Sequence, residues 1–199
     1  MIPDRRTAEE ELRIAGERNP GGWVDHSRHV AEAAEAIARH CPGMDSERAY
    51  VLGLLHDIGR RYGVSAARHT VDGYDYAMSR GWDEVARVCL THSFPVQNAD
   101  ADIGKKDMAP ERIRFLSDYI ASVCYDLYDK LIILCDALGE AGGLCILEKR
   151  FVDVTRRYGI FPFTVDRWNA TFAIKEEFER LSGAPLYSLL PGIEACLYR

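Results

Sequence analysis

The chain has 199 residues, enough for one domain with a substantial buried core. Its 25 basic and 31 acidic side chains give a net charge of −6, and 47% of its residues are hydrophobic. This balance is ordinary for a globular protein and argues against binding to a nucleic-acid polymer or to a membrane surface, since both require a positive face. The charged start, MIPDRRTAEEELRIAGERNP, predicts neither a signal peptide nor a membrane anchor, so we expect a cytoplasmic protein.

Apolar residues recur with helical spacing along nearly the whole chain, and the alternation typical of strands is absent. The first helix is predicted over residues 7–18, where NPGG ends it. A cap on Asp25 or Ser27 begins the second helix, which ends at CPG. Asp45 or Ser46 caps a third helix that runs on to Gly59.

The remaining sequence continues this pattern. A cap at Thr164 or Asp166 begins the last helix, and the helices after Gly59 are predicted over residues 70–80, 83–92, 110–124, 126–138, 144–157 and 165–181. The sequence therefore predicts an all-α fold, with residues 1–199 forming a single domain.

Two further features stand out from the helical pattern. Residues 93–110, SFPVQNADADIGKKDMAP, are polar and unperiodic, and a connection of this length is usually functional or disordered, so the segment is a lid candidate, with a plain surface loop as the alternative. The six cysteines form no Cys-x-x-Cys pair and mostly lie in apolar stretches, which predicts reduced, buried thiols; they are Cys41, Cys89, Cys124, Cys135, Cys145 and Cys196.

Histidines and aspartates lie repeatedly beside residues that pack inward, in HSRHVAEAA, LLHDIG, RHTVDGYDYA, CLTHSF and LIILCDAL. A single histidine on an apolar face is usually a hydrogen-bonded core residue. Burying many such groups costs several kcal/mol unless something pairs them, and a metal ion does so efficiently. Their number therefore favours a metal site.

The order of these residues resembles that of the HD-domain superfamily of metal-dependent phosphohydrolases. The resemblance covers about residues 23–140 and implies a compact multi-helix bundle, with residues 141–199 as a helical cover. It depends on GLLHDIG, on DKLIILCDAL and on the ordered series His26, His56, Asp57, His69, His92 and Asp136.

The resemblance also implies the metal ligands. His26, His56, Asp57 and Asp136 would hold one ion; in the binuclear branch Asp57 would bridge to a second ion, held by two further histidines, His69 and His92. Mixed imidazole and carboxylate ligands suit Fe, Mn, Co, Ni or Zn, and the sequence leaves one or two ions open.

Other residues near these positions have roles that the sequence leaves open. Arg60 follows His56 by four residues and is expected to hold a phosphate by forked hydrogen bonds. His29 lies at i+3 from His26 and would contact the substrate, support a ligand or be structural. Asp129 would bind the substrate, orient a ligand, form an ion pair or replace Asp136 as the ligand.

Several basic residues receive simpler interpretations. His40, in the last turn before CPG, is predicted to cap the helix at the surface. The other cations near the motif are either outer phosphate contacts or solvated charges, namely Arg61, Arg68, Lys105, Lys106 and Arg112.

The resemblance implies an enzyme that cleaves a nucleotide-type phosphoester or phosphoanhydride of a small phosphorylated substrate with a metal-activated water, Asp57 and Arg60 being catalytic. The nearest branch includes dinucleoside tetraphosphate hydrolases, although ALGEAGGLC replaces an EPxR-type continuation after Asp136. No P-loop or Gly-x-Gly-x-x-Gly motif is present, which argues against a kinase. The alternatives are a catalytically silent metal- or nucleotide-binding regulator and an iron-dependent oxygenase; either an isolated chain or a homodimer fits the sequence.

Overall fold

The computed structural model describes residues 1–198, and helices dominate this part of the chain. Short 3-10 segments cover Ile58–Tyr62, Ala99–Ala101, Leu186–Leu189 and Ile193–Tyr198. The all-α prediction is confirmed, and the α-helices are α1 (Arg5–Arg18), α2 (Trp23–Ala38), α3 (Ser46–Leu55), α4 (Arg68–Ser79), α5 (Asp83–Thr91), α6 (Pro110–Ser122), α7 (Leu127–Leu138), α8 (Leu147–Tyr158) and α9 (Thr164–Ser182).

Some of the predicted helix ends are wrong. Helix α2 begins at Trp23 after an N-cap at Gly22, so neither Asp25 nor Ser27 caps it. Helix α9 likewise has its N-cap one residue before Thr164, whose hydroxyl accepts a hydrogen bond from the Phe161 N–H instead. Asp45 does cap α3, because its side chain accepts from the backbone N–H groups of residues 47 and 48.

Helix α3 ends at Leu55 rather than continuing to Gly59. A 3-10 segment follows, and it passes so close to α4 that a Cβ on Gly59 would lie 2.0 Å from the His69 carbonyl oxygen. Only glycine fits this crossing. The early end of α3 therefore places His56 and Asp57 between two helices.

The main core is formed where α2 packs against α3 and α7. Helix α2 is rich in buried alanines, and a Cβ on Gly53 of α3 would lie 2.9 Å from the Ala31 Cα atom, so the two helices approach closely. A smaller core joins α4, α5 and α6; it contains Val71, Leu90, Phe94, Ala99, Leu116 and Ile120.

A short antiparallel hairpin follows α7, with strands β1 (Gly139–Glu140) and β2 (Gly143–Leu144) paired Gly139↔Leu144 and Glu140↔Gly143. The expectation of no strand is wrong here, because strands of two residues are too short to show alternation. No helix within residues 1–198 is both long and apolar enough to cross a membrane.

The cysteine prediction holds with one exception. All six thiols are free and five are buried, but Cys124 is exposed in the turn after α6.

Candidate metal centre

The ends of five helices converge on one point and bring the six predicted ligands together. His26 lies in the first turns of α2, and Asp136 lies in the last turn of α7. His56 and His92 directly follow α3 and α5, while His69 is the second residue of α4. Asp57 follows His56 and lies between the two groups of histidines.

The first half of the cluster consists of His26, His56 and Asp136. The Nε2 atom of His26 lies 3.2 Å from the Nε2 atom of His56 and 3.0 Å from Asp136 Oδ1. The His56 Nε2 atom is 3.5 Å from the same oxygen. Asp57 Oδ2 lies 3.9 Å from His56 Nε2 and completes this group.

The second half consists of His69, His92 and the other oxygen of Asp57. The two Nε2 atoms are 3.3 Å apart, and they lie 3.1 Å and 3.6 Å from Asp57 Oδ1, respectively. Asp57 thus directs one carboxylate oxygen toward each half. One carboxylate shared by two groups of histidines is the arrangement that a bridging ligand requires.

Backbone carbonyls fix the orientation of all four imidazoles. The Nδ1 atoms of His26, His56 and His92 donate to the carbonyl oxygens of Gly139, Gly53 and Val88 at 3.1, 2.7 and 3.0 Å. His69 donates in the same way to Ala66. Because a carbonyl only accepts, the proton of each neutral ring is on Nδ1, and the Nε2 lone pair points into the cluster.

The charges of the cluster suit a cation. Burial acts to raise the pKa of Asp57, but Arg60, His69 and His56 together lower that pKa well below the usual range. Burial also opposes ionisation of Asp136, whose pKa is lowered well below its usual value by His26 and His56. Both aspartates are therefore carboxylates at neutral pH.

The pKa values of His92 and His26 shift in opposite directions. Burial, followed by the neighbouring charge of His56, lowers the pKa of His92 to about 3, so this ring is neutral and free to bind a metal. Burial acts against protonation of His26 as well, but Asp136 and Asp57 raise its pKa above the usual value. A proton on His26 Nε2 and a metal ion therefore compete for the place beside Asp136.

The donor set fits a transition metal. Asp57 Oδ1 is buried and has no hydrogen-bond partner within residues 1–198, although buried polar atoms are normally paired. Two sets of three side chains, each including Asp57, place their donor atoms within 4.8 Å of one another. Imidazole nitrogen with carboxylate oxygen is a set that Fe, Mn, Co, Ni and Zn accept, whereas Ca and Mg prefer oxygen alone.

Arg60 lies in the 3-10 segment after Asp57, and its Nε atom donates to Asp57 Oδ2. Its side chain remains 30% exposed and lines the cavity above the cluster. Burial acts to lower the pKa of Arg60, but Asp57, Asp136 and Asp102 raise it, so the guanidinium stays charged. Arg60 thus lies beside Asp57 and borders the cavity.

Two predicted residues lie away from the cluster. His29 donates from Nδ1 to the Glu140 carbonyl oxygen at 2.7 Å, one residue from the carbonyl that orients His26, and it does not line the cavity. Asp129 is fully buried and accepts from Arg87, Thr91 and the Asp126 backbone N–H. Asp129 is therefore part of an ion-pair network and not of the site.

A cavity of about 740 Å³ opens above the cluster, which is the size of a small-molecule site. Its outer wall comes from α8 and α9, where Phe151 and Trp168 stack with their ring centroids 5.7 Å apart. Three arginines of these helices also line it, namely Arg150, Arg157 and Arg167. Sequence reasoning missed all three, and the seven-residue spacing of Arg150 and Arg157 on one helix face was the available signal.

The other basic candidates lie elsewhere. Arg61 is buried in an ion pair with Glu11, and Arg68 pairs with Asp72. None of Arg61, Arg68, Lys105, Lys106 and Arg112 lines the cavity beside the cluster. His40 donates to the Ala36 carbonyl oxygen at 2.9 Å at the exposed end of α2, as expected for a cap.

The segment predicted as a lid borders the cavity but is packed against the fold. Ser93, Asp102 and Ile103 line the cavity, while Phe94 is buried in the smaller core. Asp107 accepts from the backbone N–H groups of Ala66 and Arg68 at 2.8 Å and so holds the start of α4. These contacts make the segment part of the cavity wall.

Fold and site together define a helical protein with a buried histidine and aspartate cluster of metal-ligand type. The model of the HD domain family matches residues 23–140, which is more than half of the chain. The chain therefore belongs to the HD domain family, and its matched region contains every residue of the cluster. No curated protein and no solved structure matches the chain.

Proposed function

We propose that the protein is a metal-dependent phosphohydrolase whose substrate is a small, nucleotide-type phosphoester or phosphoanhydride. The observation that carries this proposal is the convergence of three imidazole Nε2 atoms, those of His56, His69 and His92, on the two oxygens of Asp57, with the Nε2 atom of His26 beside that of His56. Lone pairs at 3.2–3.3 Å repel one another unless a cation or a proton lies between them. Family membership supports the same conclusion.

In this proposal His26, His56, Asp57 and Asp136 hold one ion, and His69 and His92 hold a second ion with Asp57. When bound, a transition metal would supply an activated water as nucleophile and would polarise the phosphoryl group. The backbone carbonyls keep each imidazole in its ligand orientation. No serine or cysteine nucleophile is required.

Arg60 would act directly on the substrate. Its guanidinium is held beside Asp57 by the Nε hydrogen bond, so the remaining N–H groups can donate to phosphoryl oxygens as negative charge increases on them. The raised pKa of Arg60 makes it a poor proton donor. It stabilises charge and does not act as a general acid.

A nucleotide is proposed because the cavity combines positive charge with aromatic surface. Phe151 and Trp168 lie on the same wall as three arginines, and bases stack on such rings. Dinucleoside tetraphosphates are included among the proposed substrates because of the resemblance to that branch of the superfamily.

The test is metal analysis combined with a phosphate-release assay. The protein is purified without added metal or chelator, and dinucleoside tetraphosphates, nucleoside triphosphates and nucleoside monophosphates are tested. We expect about two equivalents of transition metal, loss of metal in His56→Ala, and a smaller loss in His69→Ala. His40→Ala, an exposed histidine outside the cluster, is the matched control and should retain the metal.

The outcomes separate the alternatives. Bound metal without release of phosphate from any substrate would contradict the enzyme and favour a metal-binding regulator. Bound iron together with oxygen consumption would favour the oxygenase. Unchanged metal content in His56→Ala would contradict the site itself.

A further inference from the structure

Arg167 differs from the other arginines that line the cavity. Arg60, Arg150 and Arg157 each form an ion pair with a carboxylate, at 2.5, 3.3 and 2.9 Å. The nearest carboxylate oxygen to Arg167 is Asp102 Oδ1, 3.8 Å from Nη1. Arg167 is thus the least compensated positive charge in the cavity lining as described for residues 1–198.

Backbone carbonyls hold the Arg167 guanidinium in a fixed orientation. Its Nη1 atom donates to the carbonyl oxygens of Ser93 and Ala101, both at 2.9 Å, which uses both Nη1 hydrogens. No hydrogen bond from Nε or Nη2 is formed with any residue in 1–198, and the side chain is still 21% exposed. The free Nε and Nη2 hydrogens are the fork that binds an oxyanion with two parallel hydrogen bonds.

The Nε and Nη2 hydrogens of Arg167 lie near the cluster but belong to a helix that contributes none of the cluster's residues. Arg167 belongs to α9, outside the matched region 23–140, and its carbonyl partner Ser93 directly follows the ligand His92. Arg60, Arg167 and the carboxylates of Asp102 and Asp136 all line the same cavity. Arg60 is already tied to Asp57, whereas Arg167 has its fork unused.

We propose that Arg167 binds a second phosphate group of the substrate, one that is not cleaved, through its free Nε and Nη2 hydrogens. This inference rests on the proposed function, and it narrows the substrate to compounds with at least two phosphate groups. Trp168, the next residue, adds aromatic surface beside this subsite.

The test compares two non-hydrolysable ligands by titration calorimetry on the full chain with its metal as purified. Methylphosphonate has one anionic group, and bis-methylene triphosphate has a chain of three. In Arg167→Gln we expect the affinity for the triphosphate analogue to fall about ten- to a hundredfold, the usual effect of losing hydrogen bonds to a charged group. The affinity for methylphosphonate should change less than twofold.

Two further variants distinguish the loss of a phosphate contact from a folding defect. Arg156→Gln removes the same charge from an exposed position that does not line the cavity, and it should leave both affinities unchanged. Asp102→Asn removes the carboxylate nearest Arg167 and leaves both carbonyl hydrogen bonds in place. It should increase the affinity for the triphosphate analogue several-fold, which a misfolded protein cannot do.

Equal weakening of both ligands in Arg167→Gln would overturn the proposal, since Arg167 would then contact the phosphate at the cluster. Unchanged binding of the triphosphate analogue in Arg167→Gln would also overturn it. If binding depends on Arg167 as expected but no phosphate is released from any substrate, the subsite stands and the proposed hydrolase fails.

Discussion

Replacing Asp129 tests whether this residue stabilises the fold or takes part in metal binding. It is fully buried in α7, and Arg87 approaches it with Nε 3.1 Å from Oδ1 and 2.9 Å from Oδ2. Thr91 Oγ1 and the Asp126 backbone N–H donate to the same carboxylate, both at 2.9 Å. Asp129→Ala would leave these donors without an acceptor.

The expected cost follows from the geometry. Removing one partner of a fully buried ion pair typically costs about 3–5 kcal/mol, because the other charge is left buried. Arg87 is 31% exposed and regains some hydration, so we expect the lower end, about 3 kcal/mol. With a slope near 3 kcal/mol per molar urea, the unfolding midpoint should fall by roughly 1 M.

The assay is urea unfolding followed by circular dichroism, with metal analysis of the folded protein. Asp118→Ala, an exposed aspartate on α6, is the control and should stay within about 0.5 kcal/mol of the wild type. Metal content per folded molecule should be unchanged in both variants. Normal stability combined with loss of metal in Asp129→Ala would refute the reasoning, since Asp129 would then belong to the site.

Three further predictions concern the site and its frame. Removing metal with a chelator should lower the melting temperature by about 5–10 °C, since a ligand at a hundred times its Kd adds about 2.7 kcal/mol; no shift in wild type would contradict a folded-state metal site. Arg60→Gln should lower kcat/KM about ten- to a hundredfold while metal content is retained, and normal turnover would exclude a contact with the reacting phosphate. Gly59→Ala should destabilise by about 3 kcal/mol or more in urea unfolding, because its Cβ would overlap the His69 carbonyl oxygen. Gly43→Ala is the control: its Cβ would contact nothing within 4 Å, and its φ of +81° adds backbone strain alone, which costs about 1–2 kcal/mol.

The residues of the cluster could be predicted because their order along the chain resembles that of the HD-domain superfamily. His56 and His92 follow buried helices directly, so the chain has to place them where helix ends meet the core. The sequence motif also contains Gly53 and Gly59, whose missing side chains let α2 and α4 approach the doublet. The close helix packing at Gly53 and Gly59 therefore determines where His56 and Asp57 lie.

Residue spacing alone left the role of Asp129 open. Seven residues on a helix return to the same face, which is why Asp129 stayed an alternative to Asp136 as the ligand. The same seven residues also separate the two along the axis by about 10 Å, at 1.5 Å per residue. Asp136 therefore reaches the cluster, while Asp129 reaches Arg87 on α5. Periodicity predicts which face of a helix a residue lies on. Which position along the helix axis meets the cluster depends on how the helices pack.

The arginines of α8 and α9 could not be found from the motif because nothing in the sequence fixes how a cover packs. No acidic residue lies three or four positions from Arg167, so the sequence indicates no ion pair within the helix. Its hydrogen-bond partners are the carbonyl groups of residues 93 and 101. Those carbonyls lie in residues 93–110, so helix α9 and this segment hold each other in position through Arg167. In the function proposed here, the cluster that would supply the chemistry comes from the family motif, whereas the charge that would select the substrate comes from outside it. Substrate choice could then change through α9 and residues 93–110 without disturbing the proposed metal ligands.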